Sequence, residues 1–150
     1  MDEVFCGFVK HVYGQIGRTL DGITETELSW RPYPIANTAG KILCHMARIS
    51  YVLLPQVAEG TTQGEWNDSY EEMEHTLPEM LNDLEVGRVR VLRDLEELND
   101  TDWKSLIPLW GGVYPRSEGL YMLVGEMAHH EGQVAYIRGA YRRAQAKIEK

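Results

Sequence analysis

Three side chains in this sequence have types and positions suited to holding a metal ion. His45 and His130 each interrupt an otherwise apolar helical stripe, and Glu126 lies four residues before His130. An imidazole on an apolar face costs free energy unless it is hydrogen-bonded or coordinated. Four residues make about one helical turn, so Glu126 and His130 share a face and one facing helix can bring His45 to them. Two imidazoles and one carboxylate suit Zn, Ni, Fe or Mn and leave positions open for water or substrate. An ion held this way lowers the pKa of a bound water or thiol and so makes a nucleophile at neutral pH. The spacing alone is more simply served by a hydrogen-bonded core network, with Glu126 accepting from His130 and Arg88 pairing with Glu126.

The elements that must position these residues are helical. Phe5, Phe8, Val12, Ile16 and Leu20 recur at steps of three and four, predicting a first helix over 2–20, with Asp2 and Glu3 at its positive end. Residues 21–36 read as a connection broken by Asp21-Gly22 and Arg31-Pro32-Tyr33-Pro34. Asn37 is the expected N-cap of a second helix over 38–58, with the stripe Ile42, His45, Met46, Ile49, Val52 and Leu53, and with Pro55 bending its last turn. Residues 59–75 form a long loop with a short turn near Trp66–Tyr70. Thr76-Leu77-Pro78-Glu79 is a capping box that starts a third helix reaching residue 98. Its seam reads Leu77, Leu81, Leu84, Arg88, Val91, Leu95 and Leu98. Residues 99–116 form a loop with a tight turn at Trp110-Gly111-Gly112, and Ser117 caps a fourth helix over 118–146. That helix turns Leu120, Leu123, Met127, His130, Val134, Ile137 and Tyr141 inward. With no convincing strand, the chain is read as an all-α four-helix bundle in one domain, with room for a crossover in its long connections.

Composition narrows the partners. The 150 residues carry 23 acids and 15 Lys plus Arg, a net charge of −8. Residues 61–110 hold thirteen acids and four bases, whereas 111–150 hold four acids and six bases. An acidic surface repels phosphate backbones, so no nucleic-acid partner is expected, and Arg138, Arg142 and Arg143 are read as helix-terminal charges. No apolar run approaches the roughly 20 residues that span a bilayer, and the start MDEVFCGFVK lacks a signal's basic and apolar regions. A cytoplasmic location without membrane contact is therefore expected. Cys6 and Cys44 form no CxxC pair and are expected to be buried free thiols. Gly132, in the fourth helix, costs roughly 1 kcal/mol relative to alanine and suggests a close helix approach. His11 and His75 are expected at the surface, and the four tryptophans in the connections.

Two stretches carry a family resemblance. Leu28-Ser29-Trp30-Arg31-Pro32, followed by Asn37-Thr38 and Leu43-Cys44-His45-Met46, resembles the "L-x-W-x-P … N-S … L-x-x-H-hydrophobic" segment of the DinB-like family. Glu126-Met127-Ala128-His129-His130-Glu131-Gly132-Gln133 resembles its "H-x-x-x-H-R-G-Q" segment. The pair spans nearly the whole chain. The resemblance implies a DinB-like four-helix bundle, commonly with one histidine from helix two and two from helix four on a divalent metal. Carried over by position, His45 and His130 match two ligands, Glu126 falls on the third, and His129 is the reserve. Glu126 and Glu131 depart from the family's histidine and arginine. The implied activity is thiol transfer with a low-molecular-weight thiol, hydrolysis or isomerisation of a small-molecule substrate, in a homodimer. Gln133 is then an outer hydrogen-bond partner, and Arg88 an anchor for an anionic substrate or a solvent-seeking residue of the seam. Two further readings stand: a non-catalytic dimeric bundle, used for binding or stress response, with a degenerate site; and a redox protein using Cys44.

Overall fold

The computed structural model describes residues 2–148. Four long helical segments build it: α1 (Glu3–Leu20), α3 (Ala39–Arg48) continued through a π-helical turn (Ile49–Leu53) into α4 (Leu54–Glu59), α5 (Leu77–Glu97) and α7 (Arg116–Ile148). Short elements fill the connections: α2 (Glu25–Ser29), a 3₁₀ turn at Tyr70–Glu72, α6 (Asp100–Lys104), and the antiparallel strands β1 (Leu106–Leu109) and β2 (Gly112–Pro115). The fold is all-α with one small hairpin, and no helix among the described residues is long and apolar enough to cross a membrane.

Contacts along the helices fix their directions. Phe5 packs on Tyr121 and the Thr19 carbonyl accepts from Arg138, so α1 and α7 run parallel. His45 meets Glu126 while Gly60 meets Arg116, so α3/α4 runs against α7. Ser50 bonds to Leu84 and Glu59 pairs with Arg90, so α4 and α5 are parallel. The order is up-down-down-up, and residues 60–76 travel back along the bundle's length as the expected crossover.

Several boundaries differ from the sequence reading. The cap of α3 is Thr38, whose hydroxyl accepts from Lys41 N, rather than Asn37. The 21–36 connection contains α2, because Thr24 and Glu27 form a full capping box. The 99–116 loop folds into α6, capped by Asn99, and a hairpin whose turn holds Trp110 (φ 47°) and Gly111 (φ 75°). Alternate strand residues Ile107 and Leu109 enter the core. The final helix starts at Arg116, one residue before the expected Ser117 cap. On α5 the buried face is Met80, Leu84, Gly87, Val91, Asp94 and Leu95, so Leu81 and Arg88 fall beside it.

The π turn accommodates Pro55. A proline ring presses on the carbonyl four residues earlier, and a widened turn just before it relieves that clash. In this turn Leu54 N–H reaches Ile49 O. Ser50 lies fully buried there; its Oγ donates to Leu84 O at 3.1 Å and accepts from the Tyr13 hydroxyl at 2.6 Å. Gly87 lets α5 approach this spot, since an added Cβ would stand 2.2 Å from Ser50 Oγ and 2.3 Å from its carbonyl oxygen.

A buried ion pair closes one end of the bundle. Arg138, 6% exposed, donates to Glu27 at 3.0 and 3.1 Å and to the carbonyls of Thr19 and Asp21. It therefore joins α2, the end of α1 and α7, and is not the solvated terminal charge the sequence suggested. Burial of Glu27 favours its neutral acid, but hydrogen bonds from Arg138 and the Thr24 backbone outweigh this and hold its pKa below the usual value.

Two outcomes follow for stability. Gly87→Ala should lower it by about 2 kcal/mol, seen as an earlier urea midpoint, because neither Ser50 nor its backbone has room to retreat. A depressed carboxyl pKa contributes stability above the unfolded value that is lost as pH falls through the folded one. Glu27→Gln should therefore destabilise at pH 7 and flatten the loss of melting temperature below about pH 4.5.

Candidate metal centre

His45 leaves α3 one turn after Ile42, and Glu126 and His130 leave α7 from the facing side. The antiparallel packing of these helices brings the three together. His45 Nε2 lies 3.1 Å from Glu126 Oε1, and His130 Nε2 lies 3.6 Å from the same oxygen. The two rings meet edge to face with centroids 4.9 Å apart, and one donor atom from each residue falls within 4.8 Å of the others.

The outer nitrogens settle which atoms point inward. His45 Nδ1 is 2.5 Å from Glu71 Oε1, and a carboxylate only accepts, so Nδ1 carries the proton. His130 Nδ1 is 2.7 Å from Gln133 Oε1, an amide oxygen that also only accepts. In the neutral rings each Nε2 therefore presents a lone pair toward Glu126. Three electron-pair donors facing one point could hold a cation, and an outer acceptor on each imidazole fixes its tautomer. Ligands about 2.1 Å from one ion stand roughly 2.9–3.4 Å apart, close to both Glu126 distances. The donor set fits a divalent metal.

The cluster does not sit in the closed core, as its place in apolar stripes suggested. Side-chain exposure is 27% for His45, 43% for Glu126 and 19% for His130, so the donors open to solvent. Met46 and Met127, each next in sequence to a donor residue, are fully buried.

Glu71 was not visible as a site residue in sequence. It rides on the 3₁₀ turn of the crossover, and a network holds it there. Arg48, one turn after His45, donates to Glu71 at 3.2 Å and grips Asp68 with Nε and Nη2. Asp68 in turn accepts from Tyr70 N, and the Tyr70 hydroxyl donates to Asp83 on α5. His75, expected at the surface, is half-buried and stacks on the Tyr70 ring. The one signal in the sequence is the acidic run over 61–110, which names no partner for any single carboxylate.

The remaining candidates separate. Gln133 contacts His130, while His129 is exposed and adjoins it with ring centroids 5.3 Å apart. Arg88 pairs with Glu85 on its own helix and lines a groove between α1 and α5, alongside Tyr13. Glu131 accepts from Thr19 and ties α7 to α1. Cys6 and Cys44 are free; burial first, and then Glu71, push the Cys44 thiol pKa up, which disfavours the thiolate a redox role needs.

Burial opposes charging His45, but Glu71 and Glu126 outweigh it and raise the imidazole pKa; Glu71 is lowered in return by His45 and Arg48, against its own burial. A cation at His45 Nε2 competes with protonation of that imidazole.

Comparison with known proteins agrees with this architecture. A family model described as the DinB superfamily matches residues 12–134. A crystal structure of a conserved protein from Enterococcus faecalis superimposes with a TM-score of 0.70 at 15% identity, covering 93% of this chain and 96% of that one. No curated protein matches the sequence.

Glu71→Gln should weaken divalent-metal affinity by about 10- to 100-fold in titration calorimetry, with little change in fold. Wild-type affinity should also fall as pH drops through the His45 titration; equal affinity in the variant would remove Glu71 from the site.

Proposed function

The chain belongs to the DinB superfamily, and from that membership and the donor geometry we propose that it is a divalent-metal-dependent enzyme acting on a small molecule. The observation that supports this most is the convergence of His45 Nε2, His130 Nε2 and Glu126 Oε1, with both Nδ1 atoms committed elsewhere. Three protein ligands leave coordination positions free on the solvent side, which is the pattern of a reactive rather than a structural site. An ion there supplies Lewis acidity and lowers the pKa of what it binds. The carboxylate makes the set harder and one charge more negative than three imidazoles, favouring Fe(II), Mn or Zn.

The chain's own residues have distinct roles in this reading. Glu71 and Gln133 hold the imidazoles in their donor tautomers. Glu126, the most exposed of the three, is the arm with freedom to move as ligands exchange. The reaction class is thiol transfer, hydrolysis or isomerisation, each of which begins with an activated oxygen or sulfur nucleophile, or a polarised carbonyl.

One observation supports a second reading. Glu126 stands where the family resemblance places a histidine, and its high exposure suits a relic site in a non-catalytic bundle. Elemental analysis separates the two. Freshly purified protein should carry about one divalent ion per chain, and His45→Ala should carry none. Full occupancy in that variant, or an ion-free wild type that ignores added Zn, Mn and Fe(II), would overturn the enzymatic reading.

A further inference from the structure

A cleft of about 540 Å³ opens one helical turn from the donor set along the same α3/α7 seam. Ile42 precedes His45 by three residues and Gln133 follows His130 by three, which places the cleft wall roughly 5 Å along the helix axes from the ligands. Pro32 and Tyr33 of the connection and Tyr136 and Ile137 of α7 line it. The polar groups that line it are neutral amides, Asn37 and Gln133, and the exposed imidazole of His129. Among the described residues no Lys, Arg, Asp or Glu lines it.

Gly132 gives the cleft its floor. The residue sits inside the longest helix, where glycine is less stable than alanine by about 1 kcal/mol. An added Cβ would meet nothing within 4 Å. The close helix approach suggested by the sequence is therefore absent, and packing does not explain the glycine. What its missing side chain leaves is open space between Gln133 and the tyrosines. Tyr33 and Tyr136 remain 57% and 63% exposed, so two large aromatic faces flank this space instead of entering the core. Exposed aromatic surface gathered around a concavity is the signature of a ligand site.

We propose that this cleft is the specificity pocket of the metal centre and takes an uncharged, flat, largely apolar part of the substrate, between Tyr33 and Tyr136 and over Gly132. Asn37 and Gln133 present amide donors and acceptors to a neutral carbonyl, hydroxyl or amide on that group. For a carboxylate or ammonium the lining offers no Lys, Arg, Asp or Glu to offset the lost hydration. This inference rests on the metal-centre reading for the word substrate, but the pocket itself can be tested apart from the ion. Gln133 is shared, since it lines the cleft and accepts from His130, so an occupant touches the residue that orients a ligand.

The test uses the full chain, benzamide as a neutral probe and benzoate as its charged counterpart, followed by backbone amide NMR. Benzamide should shift the amides of Asn37, Gly132, Gln133 and Tyr136, and benzoate should need at least about tenfold higher concentration for the same shifts. Gly132→Leu, which fills the floor and favours the helix, should abolish the benzamide shifts while leaving metal uptake intact. No benzamide shifts at these residues, equal response to benzoate, or persistence in Gly132→Leu would each overturn the pocket. So would a variant whose sedimentation changes from dimer to monomer, because the cleft would then belong to a second copy of the chain. An ion-free wild type that still binds benzamide would leave the pocket standing and remove the catalytic reading.

Discussion

The site depends on one electrostatic constraint: two imidazole lone pairs and a carboxylate oxygen face the same point. Such a group is unstable without positive charge at its centre, supplied either by a proton on an imidazole or by a metal ion. The raised pKa of His45 is the protonic solution to this crowding. Glu71 and Gln133 make the arrangement specific, since each holds the outer nitrogen of one ring and prevents the lone pairs from turning away.

The topology serves that constraint. The up-down-down-up order requires residues 60–76 to run the length of the bundle, and this passage carries Asp68, Tyr70 and Glu71 past α3. Arg48 clamps the passage to the helix that bears His45, and Tyr70 clamps it to α5 through Asp83. On the far side, Gly87 and the fully buried Ser50 let α5 and the π turn approach closely, while the hairpin covers the lower end of α4 and α7 with Ile107 and Leu109. Most of the polar contacts that shape the centre therefore come from one connection.

Much of this was legible in the sequence for a physical reason. Long amphipathic periods identify helices, and a histidine inside such a stripe is conspicuous, so the bundle and the trio His45, Glu126 and His130 stood out. What failed was local or long-range. Short helices such as α2 and α6 have no period to detect, although the Thr24–Glu27 box was there to read. The hairpin at 106–115 is short and half exposed, and its Pro108 and Pro115 argue against strands. Arg88 matched the seam by spacing but lost its place because α5 turns Gly87 toward Ser50. Glu71 and Arg138 were hidden differently: both look like surface charges until the crossover and the α2 turn bring partners to them. Gly132 is the opposite case: a glycine inside a helix suggests close packing, yet its surroundings are open.

The most direct measurement is X-ray absorption at the metal edge of zinc-loaded protein. The first shell should be nitrogen and oxygen at about 2.0–2.1 Å, with outer-shell scattering from two imidazoles and no sulfur. A sulfur shell near about 2.3 Å, or fewer than two imidazoles, would contradict it and move the ion away from His45, Glu126 and His130.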